Sequence, residues 1–254
     1  MPARLYSLAL SHPALCARCM LEHKGIEHRV VNLVPGTQVV LRAMGFPGYT
    51  VPALVLENGR RLQRTRVISR ALDELVPDPP LFPRDPEARR RVEDAERWGD
   101  EVLQGVPRRI FQWSASHDYS IRRWLAVDVS RAPAGALLAL PSLQAKAFAR
   151  ASGANDPTVR ADLAALPSHL AEVERLRGEG VIGGDERNAA DFQIASSLRN
   201  IANFEDLAPY VEDHPAIRWA ATVVPPLPGP IPRALPRQWL APLEPLVAAA
   251  GAAR

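Results

Sequence analysis

The sequence predicts an α+β protein in which a small domain of order β-α-β-α-β-β-α is followed by an all-α helical bundle. Two observations support this prediction. Short strand-like and helix-like segments alternate at the start of the chain, whereas long helical patterns dominate later. Between the two parts, residues 75–86 include five prolines, which cannot continue a helix because proline lacks the amide hydrogen and clashes with the preceding turn. We therefore expect domains at 1–80 and 84–224, and a proline-rich C-terminal tail at 225–254.

The elements of the first domain follow from periodicity and from turn residues. Pro13 lies near the first turn of the first helix and Gly25 just past its end. Residues 57–60 form a hairpin turn, and Thr65 can cap the helix that follows the hairpin. Strands are expected at 4–10, 28–33, 52–56 and from 61; helices are expected at 13–24, 38–44 and 65–76, the last with Val67, Ile68, Leu72 and Leu75 on one face.

The second domain is predicted to contain helices only. Asp85 precedes a proline at the first helical position, and Asn188 with Asp191 has the spacing of a capping box. Helices are expected from 86 to about 113 and at 119–127, 137–151, 157–177, 189–204 and 214–223. Residues 225–232 are rich in proline and predict an extended polyproline segment, and we expect 247–254 to lie on the surface or fray.

Composition and charge exclude several classes of protein. The chain has 254 residues, 47% of them hydrophobic and 23% charged, which is ordinary for a protein with a sizeable core. No apolar run approaches the roughly 18 residues that span a membrane, and the N-terminus lacks the layout of a signal peptide. The net charge is only +3, and the arginine runs stand beside acids, which is typical of solvated helix faces. We expect a cytoplasmic protein that binds neither membranes nor nucleic acid.

Four stretches, in order along the chain, resemble the cytosolic glutathione S-transferase superfamily. They are a strand followed by Ser11 and a helix that ends at 22–26; the Val-Pro-x-Leu segment within 50–54; Arg64-Thr65-x-x-Ile68 after a leucine; and the Asn188-Ala-Ala-Asp191 cap. The resemblance extends to about Val224. It implies a bacterial serine-type or divergent class, with a thioredoxin-like N-terminal domain and the family's all-α C-terminal domain. It also implies a homodimer.

The resemblance further implies how the first domain would hold a thiol. The Val51–Pro52 peptide bond is expected to be cis, which would turn the Val51 N–H and C=O outward to pair with a peptide-like ligand. A trans proline at the start of a strand is the alternative. Thr65, at a helix start, would receive a ligand carboxylate, because the free amides there form an anion site. As a plain cap, Thr65 would need no ligand.

Ser11 and His12 are the candidate catalytic residues. The Ser11 hydroxyl would donate a hydrogen bond to the bound thiolate and so stabilise the nucleophile; the alternative is that Ser11 only caps the first helix. His12 stands where the family often has proline. As an imidazolium it would lower the pKa of a nearby thiol, but a surface histidine beside a loop proline is the commoner arrangement.

Arg64 departs from the family pattern. The family usually has Glu or Gln there, which receives the amino group of glutathione. An arginine cannot accept a hydrogen bond and repels an ammonium, although it can bind a carboxylate. The thiol therefore either binds differently or is not glutathione.

Cys16 and Cys19 are spaced C-x-x-C but fall inside the predicted first helix. A thioredoxin-type redox pair would place its first cysteine just before the helix, where this chain has Ser11. Inside the helix, the two thiols lose the N-terminal field that makes a thiol reactive. We interpret both as packing residues, which disfavours a reductase or peroxidase. No further Cys or His cluster has zinc spacing, so no metal site is predicted.

The leading hypothesis is a transferase that conjugates a low-molecular-weight thiol, glutathione by default, to a small apolar electrophile. No permanently bound cofactor is expected. The alternatives are a transferase that uses another thiol and a non-catalytic protein of the same fold that binds a ligand or partner. The aromatic residues of the second domain are expected to lie mainly in the core, with some lining an apolar cleft; they are Trp98, Phe111, Trp113, Trp124 and Phe148.

Overall fold

The structure is a computed structural model that describes residues 2–130 and 142–247. In this part of the chain, a four-stranded sheet with three helices is followed by a region of helices, as predicted. The predicted helix start at 137 and the tail beyond 247 lie outside the described residues. The exact domain boundaries stay a prediction.

The sheet has the strand order β2-β1-β3-β4. Its strands are β1 (Ala3–Ser7), β2 (His28–Asn32), β3 (Ala53–Val55) and β4 (Arg61–Gln63). Strand β1 runs parallel to β2 and antiparallel to β3, and Leu5 is paired with both Val30 and Leu54. The antiparallel β3–β4 hairpin matches the predicted turn at 57–60. This order places β1 and β3 centrally, so Ser11 and Pro52 lie beside neighbouring strands.

Helix α1 (His12–His23) begins one residue before the predicted start at 13. Ser11 is its N-cap, and the Ser11 hydroxyl oxygen accepts a hydrogen bond of 3.2 Å from the Ala14 N–H. Nine of the 12 residues of α1 are buried, because this helix packs between α3 (Thr65–Leu75) and the helical region. The short helix α2 (Val40–Ala43) covers the other face of the sheet.

Two expectations for α3 are wrong. The N-cap residue is Arg64 rather than Thr65, which is already the first helical residue. On the helix face, Ile68 and Leu72 are buried as predicted, but Val67 and Leu75 are about half exposed. The buried face instead includes Ser69 and Ala71, because α3 packs against the polar Glu96 as well as against the apolar core.

The helices of the second region lie close to the predicted positions. They are α4 (Pro86–Trp98), α5 (Gly105–His117), α6 (Tyr119–Trp124), α7 (Ser142–Ala151), α8 (Asp156–Gly178), α9 (Ala189–Ala202), α10 (Ala208–Val211) and α11 (Pro215–Val223). The Asp85 cap and the Asn188–Asp191 capping box are both present. Helix α10 and a 3₁₀ segment at Arg237–Leu243 were not predicted.

The predicted helix to residue 113 is interrupted by a π-helical segment, Gly99–Leu103. The interruption lies where this helix crosses α9. A Cβ atom at Gly99 would lie 3.0 Å from side-chain carbons of Gln193 and Ile194, so glycine allows this close approach without displacing either side chain. The wider π turn places Asp100 and Glu101 on the wall of a cleft.

One hydrophobic core extends from the sheet through α1 into the helical region. Helix α9 is its centre, since 12 of its 14 residues are buried. The connection between the two regions is fixed by Lys24, whose buried ammonium donates to Asp73 Oδ1 at 2.8 Å and to the Val76 carbonyl at 2.6 Å. The two regions therefore share packing rather than only a linker.

The proline-rich segment after α11 wraps around the helical region. Ile231 pairs with the chain after α9, accepting from the Glu205 N–H at 3.0 Å and donating to the Asn203 carbonyl at 2.7 Å. Trp239 packs on Trp113 with ring centroids 4.8 Å apart. Ile231 also reaches the cleft, so this segment contributes to its wall.

Candidate active site

A cleft of about 960 Å³ lies between the thioredoxin-like domain and the helical region. All six residues singled out from the sequence line it: Ser11, His12, Val51, Pro52, Arg64 and Thr65. The wall formed by the thioredoxin-like domain consists of the ends of β1, β3 and β4 with the starts of α1 and α3. The wall formed by the helical region consists mainly of the cleft faces of α5 and α7.

The Val51–Pro52 peptide bond is cis, as predicted. Gln63 holds the loop in front of it: the Gln63 Nε2 donates to the Thr50 carbonyl at 2.6 Å, and its Oε1 accepts from the Gly48 N–H at 2.7 Å. Within the described residues, the Val51 N–H and C=O make no hydrogen bond, so both remain available to a ligand in the cleft. Gln63 was not identified as a site residue from the sequence. The only feature of the sequence that could have indicated its role is that it is a polar residue just before the predicted helix cap.

Arg64 has a left-handed backbone conformation, with φ 78°. Among the described residues it is the only non-glycine residue with positive φ, a geometry that costs about 1–3 kcal/mol and gathers at functional sites. Its side chain is exposed in the cleft and has no ion-pair partner in the described part of the chain. The strained backbone positions Thr65 and the free amides of the first turn of α3 at the cleft.

Ser11 is both a helix cap and a cleft residue. Its oxygen accepts from the Ala14 N–H, which leaves the hydroxyl hydrogen free to be donated. The side chain is half-buried and belongs to the same cleft as Val51 and Thr65. The capping role therefore does not exclude a hydrogen bond to a bound thiolate.

His12 is not the surface histidine that its position before Pro13 favours. It is 3% exposed, and Asn200 of α9 contacts its Nδ1 at 2.7 Å. Burial, and then the positive charge of Arg108, lower the pKa of His12 to about 3. A hydrogen bond with the backbone of Gln104 has the opposite, smaller effect on this pKa. The imidazole is therefore neutral at neutral pH, and the expectation of an imidazolium beside the thiol is wrong.

A row of buried polar side chains joins the two regions behind His12. Cys16 Sγ lies 3.7 Å from Gln193 Oε1, and Gln193 Nε2 donates to Gln104 Oε1 at 3.0 Å. Gln104 in turn donates to Asp100 Oδ1 at 3.1 Å. We call Cys16, Gln193, Gln104 and Asp100 the polar seam. It joins α1, through α9, to the π-helical segment and to the residue that precedes α5.

Cys16 and Cys19 are packing residues, as predicted. Both are free thiols buried inside α1, at 0% and 5% exposure. Burial raises the pKa of Cys16 far above its usual range and that of Cys19 to about 12. Neither thiol is therefore ionised at neutral pH, which argues against a redox role.

The helical wall combines apolar and polar side chains. Residues 104, 108, 111, 112 and 115 recur at helical spacing, so one face of α5 looks into the cleft. Of the aromatic residues, Phe111 and Phe148 line the cleft. Trp113 lies in the core, and Trp98 and Trp124 pack against it.

Among the described residues, no group of three or more His, Cys, Asp or Glu side chains is arranged to hold a metal ion. In the same part of the chain, no helix combines the length and apolar character needed to cross a membrane.

Comparison with known proteins agrees with the geometry of the first domain. The sequence pattern of the glutathione S-transferase N-terminal domain family matches residues 5–80. No curated protein matches the chain.

Several solved structures share the fold over nearly the whole chain. A glutathione S-transferase from Rhodospirillum rubrum F11 aligns with a TM-score of 0.61 and 22% identity, over 94% of this chain and 99% of that one. A glutathione S-transferase from Methylobacterium radiotolerans, in complex with glutathione sulfonate, aligns with a TM-score of 0.55 and 19% identity, over 93% of this chain and 97% of that one. A third, from Methylobacillus flagellatus with bound GSH, aligns with a TM-score of 0.55 and 19% identity, over 87% of this chain and 93% of that one. At these identities the likeness establishes the fold.

Proposed function

We propose that the chain is a member of the glutathione S-transferase superfamily and that it conjugates a low-molecular-weight thiol, glutathione by default, to a small electrophile; the family match over residues 5–80 supports this. One observation carries the proposal. The cis Val51–Pro52 bond, Ser11 and the start of α3 meet in one cleft. The two similar structures with GSH or glutathione sulfonate support a thiol of this kind.

The first domain would bind the thiol mainly through its backbone. The free Val51 N–H and C=O would pair with the ligand in the manner of an added strand. Thr65 and the amides of the first turn of α3 would hold a ligand carboxylate. These contacts would place the sulfur at Ser11.

The chemistry then needs only a stabilised thiolate. The Ser11 hydroxyl would donate a hydrogen bond to the sulfur, while the proton lost from the thiol passes to solvent. The sulfur would form a bond to the electrophilic carbon, and a leaving group would depart with its electron pair. Phe111 and Phe148 would contact the apolar part of the electrophile.

Arg64 supports a second candidate within the same class. The Arg64 guanidinium lies in the cleft without an ion-pair partner among the described residues, and it suits a thiol with an additional carboxylate rather than the ammonium of glutathione. A non-catalytic binding protein of the same fold is the remaining alternative. A homodimer and a cytoplasmic location are part of the proposal.

The test is calorimetric titration with glutathione beside other small thiols, followed by conjugation assays of Ser11→Ala. We expect turnover to fall at least several-fold, because the thiolate loses its hydroxyl donor. Since Ser11→Ala also removes a helix cap worth about 1 kcal/mol, Asp85→Ala serves as the control, because it removes a cap far from the cleft. Thiol binding with unchanged turnover would exclude Ser11 from the mechanism. No binding of any thiol would favour the non-catalytic alternative.

A further inference from the structure

Arg108 is a cationic side chain of the cleft for which the proposed function has no role so far. It lies on the cleft face of α5, and within the described residues it has neither a hydrogen bond nor an ion pair closer than 4 Å. Its neighbour Arg109 is the opposite case: on another face of the helix, its Nε and Nη2 each donate to Asp162 at 2.6 Å. Two adjacent arginines therefore differ in whether their charge is neutralised.

The Arg108 side chain is exposed in the cleft. Partial burial of its guanidinium lowers the pKa of Arg108, while the charge of Asp100 raises it and that of Arg109 lowers it. An arginine stays protonated under these conditions. The cleft thus contains a permanent positive charge that is only partly compensated.

Arg108 lies near the thiol-binding end of the cleft, because Ser11, His12 and Arg108 all line it. Long side chains of a helix lean toward its N-terminus, which for Arg108 means toward Gln104. Its charge acts on Asp100, eight residues earlier, and on His12. His12 follows Ser11 directly, and both residues line the same cleft as Arg108, which places this charge on the side of the cleft opposite Ser11.

The other charged groups of the cleft do not supply this charge. His12 is neutral, and Glu101 is paired with Arg66 at 3.0 Å. Arg122 keeps its charge, but it is held by the carbonyls of Ala115 and Asp118, about two helical turns or more beyond Arg108 along α5. Arg64 stands at the start of α3, beside the predicted carboxylate site, and Asp100 accepts from Gln104.

We propose that Arg108 supplies the positive charge that stabilises the bound thiolate, acting from the helical wall of the cleft. This inference rests on the proposed function. A cation within several ångströms favours the charged form of a thiol, and it does so most where solvent is largely displaced. Ser11 would donate the hydrogen bond to the sulfur, and Arg108 would take the role that the neutral His12 cannot fill.

The test measures the pKa of the bound thiol by the ultraviolet absorbance of the thiolate, with the full chain saturated with glutathione. Arg108→Gln should raise this pKa by about one unit and lower turnover correspondingly at neutral pH. Arg108→Lys keeps the charge and should restore most of the shift. Arg123→Gln, on the exposed surface of α6 outside the cleft, removes the same net charge and should leave the pKa unchanged.

The outcomes separate the two proposals. Glutathione binding with the same thiol pKa in Arg108→Gln would overturn the role of Arg108 and leave the proposed function intact. An equal shift in Arg123→Gln would also overturn it, because the effect would then come from net charge. A protein that binds no glutathione would refute both proposals for this thiol.

Discussion

The two walls of the cleft are built in different ways. The thioredoxin-like wall offers backbone groups and short side chains, such as the free Val51 amide and the Ser11 hydroxyl. The helical wall offers long side chains, such as Arg108 and Phe111, from the face of one helix. The first wall can recognise the common part of a peptide-like thiol, while the second can change its chemistry through single substitutions. On the proposed function, thiol binding would belong to the first wall and the tuning of reactivity to the second.

The two walls of the cleft meet at His12 and the polar seam. The largest predicted effect concerns this junction and is a loss of stability on acidification. His12 has a pKa of about 3 in the folded protein, against about 6.5 in an unfolded chain. Between pH 3 and pH 6.5 the unfolded chain therefore binds more protons at His12 than the folded protein does. The free energy of unfolding is unaffected by the titration of His12 above pH 6.5 and decreases as the pH falls from 6.5 toward 3. Between pH 7 and pH 4 the loss should be about 3 kcal/mol.

The measurement is urea unfolding across this pH range, compared with His12→Gln. The substitution should remove most of the loss on acidification, although it weakens the contact with Asn200. His28→Gln, on the edge strand β2, removes a histidine away from the junction and serves as the control. Parallel acid profiles for the original protein and His12→Gln would contradict the prediction.

The adjacent arginines of α5 provide the second prediction, on the helical wall. Arg109→Gln leaves the buried Asp162 carboxylate without its two hydrogen bonds, and we expect a loss of about 2–3 kcal/mol in the free energy of unfolding. Arg108→Gln removes no such partner and should change stability by less than about 0.5 kcal/mol. Denaturant unfolding of both variants measures the difference. Equal losses would mean that Arg108 is a structural residue.

The two walls also differ in how much the sequence predicts. Ser11, the cis Val51–Pro52 bond and the Asn188 cap belong to short motifs whose geometry is set within a few residues, and all were placed correctly. The sequence does not predict that Arg64, rather than Thr65, is the N-cap of α3. A positive φ at a non-glycine residue leaves no recognisable pattern in the neighbouring sequence.

The helical wall and the junction were not predictable in the same way. His12 contacts Asn200, 188 residues later, and Gln193 contacts Gln104, 89 residues earlier. A single sequence gives polar residues on helix faces but not the partner that each one meets. Arg108 and Arg109 are identical neighbours in sequence, and only the position of Asp162 distinguishes them.

The smallest predicted effect concerns the thiol wall and the identity of the thiol. Under the proposed function Arg64 would repel the ammonium of glutathione, so Arg64→Glu should tighten glutathione binding several-fold, equivalent to about 1 kcal/mol. Arg64→Gln removes the repulsion without adding a negative charge and should have an intermediate effect. Calorimetric titration measures both, and Arg61→Gln, on the neighbouring strand and outside the cleft lining, is the control. Weaker binding in both Arg64 variants would instead mean that Arg64 holds a carboxylate of the thiol, and would shift the assignment toward an acidic thiol other than glutathione.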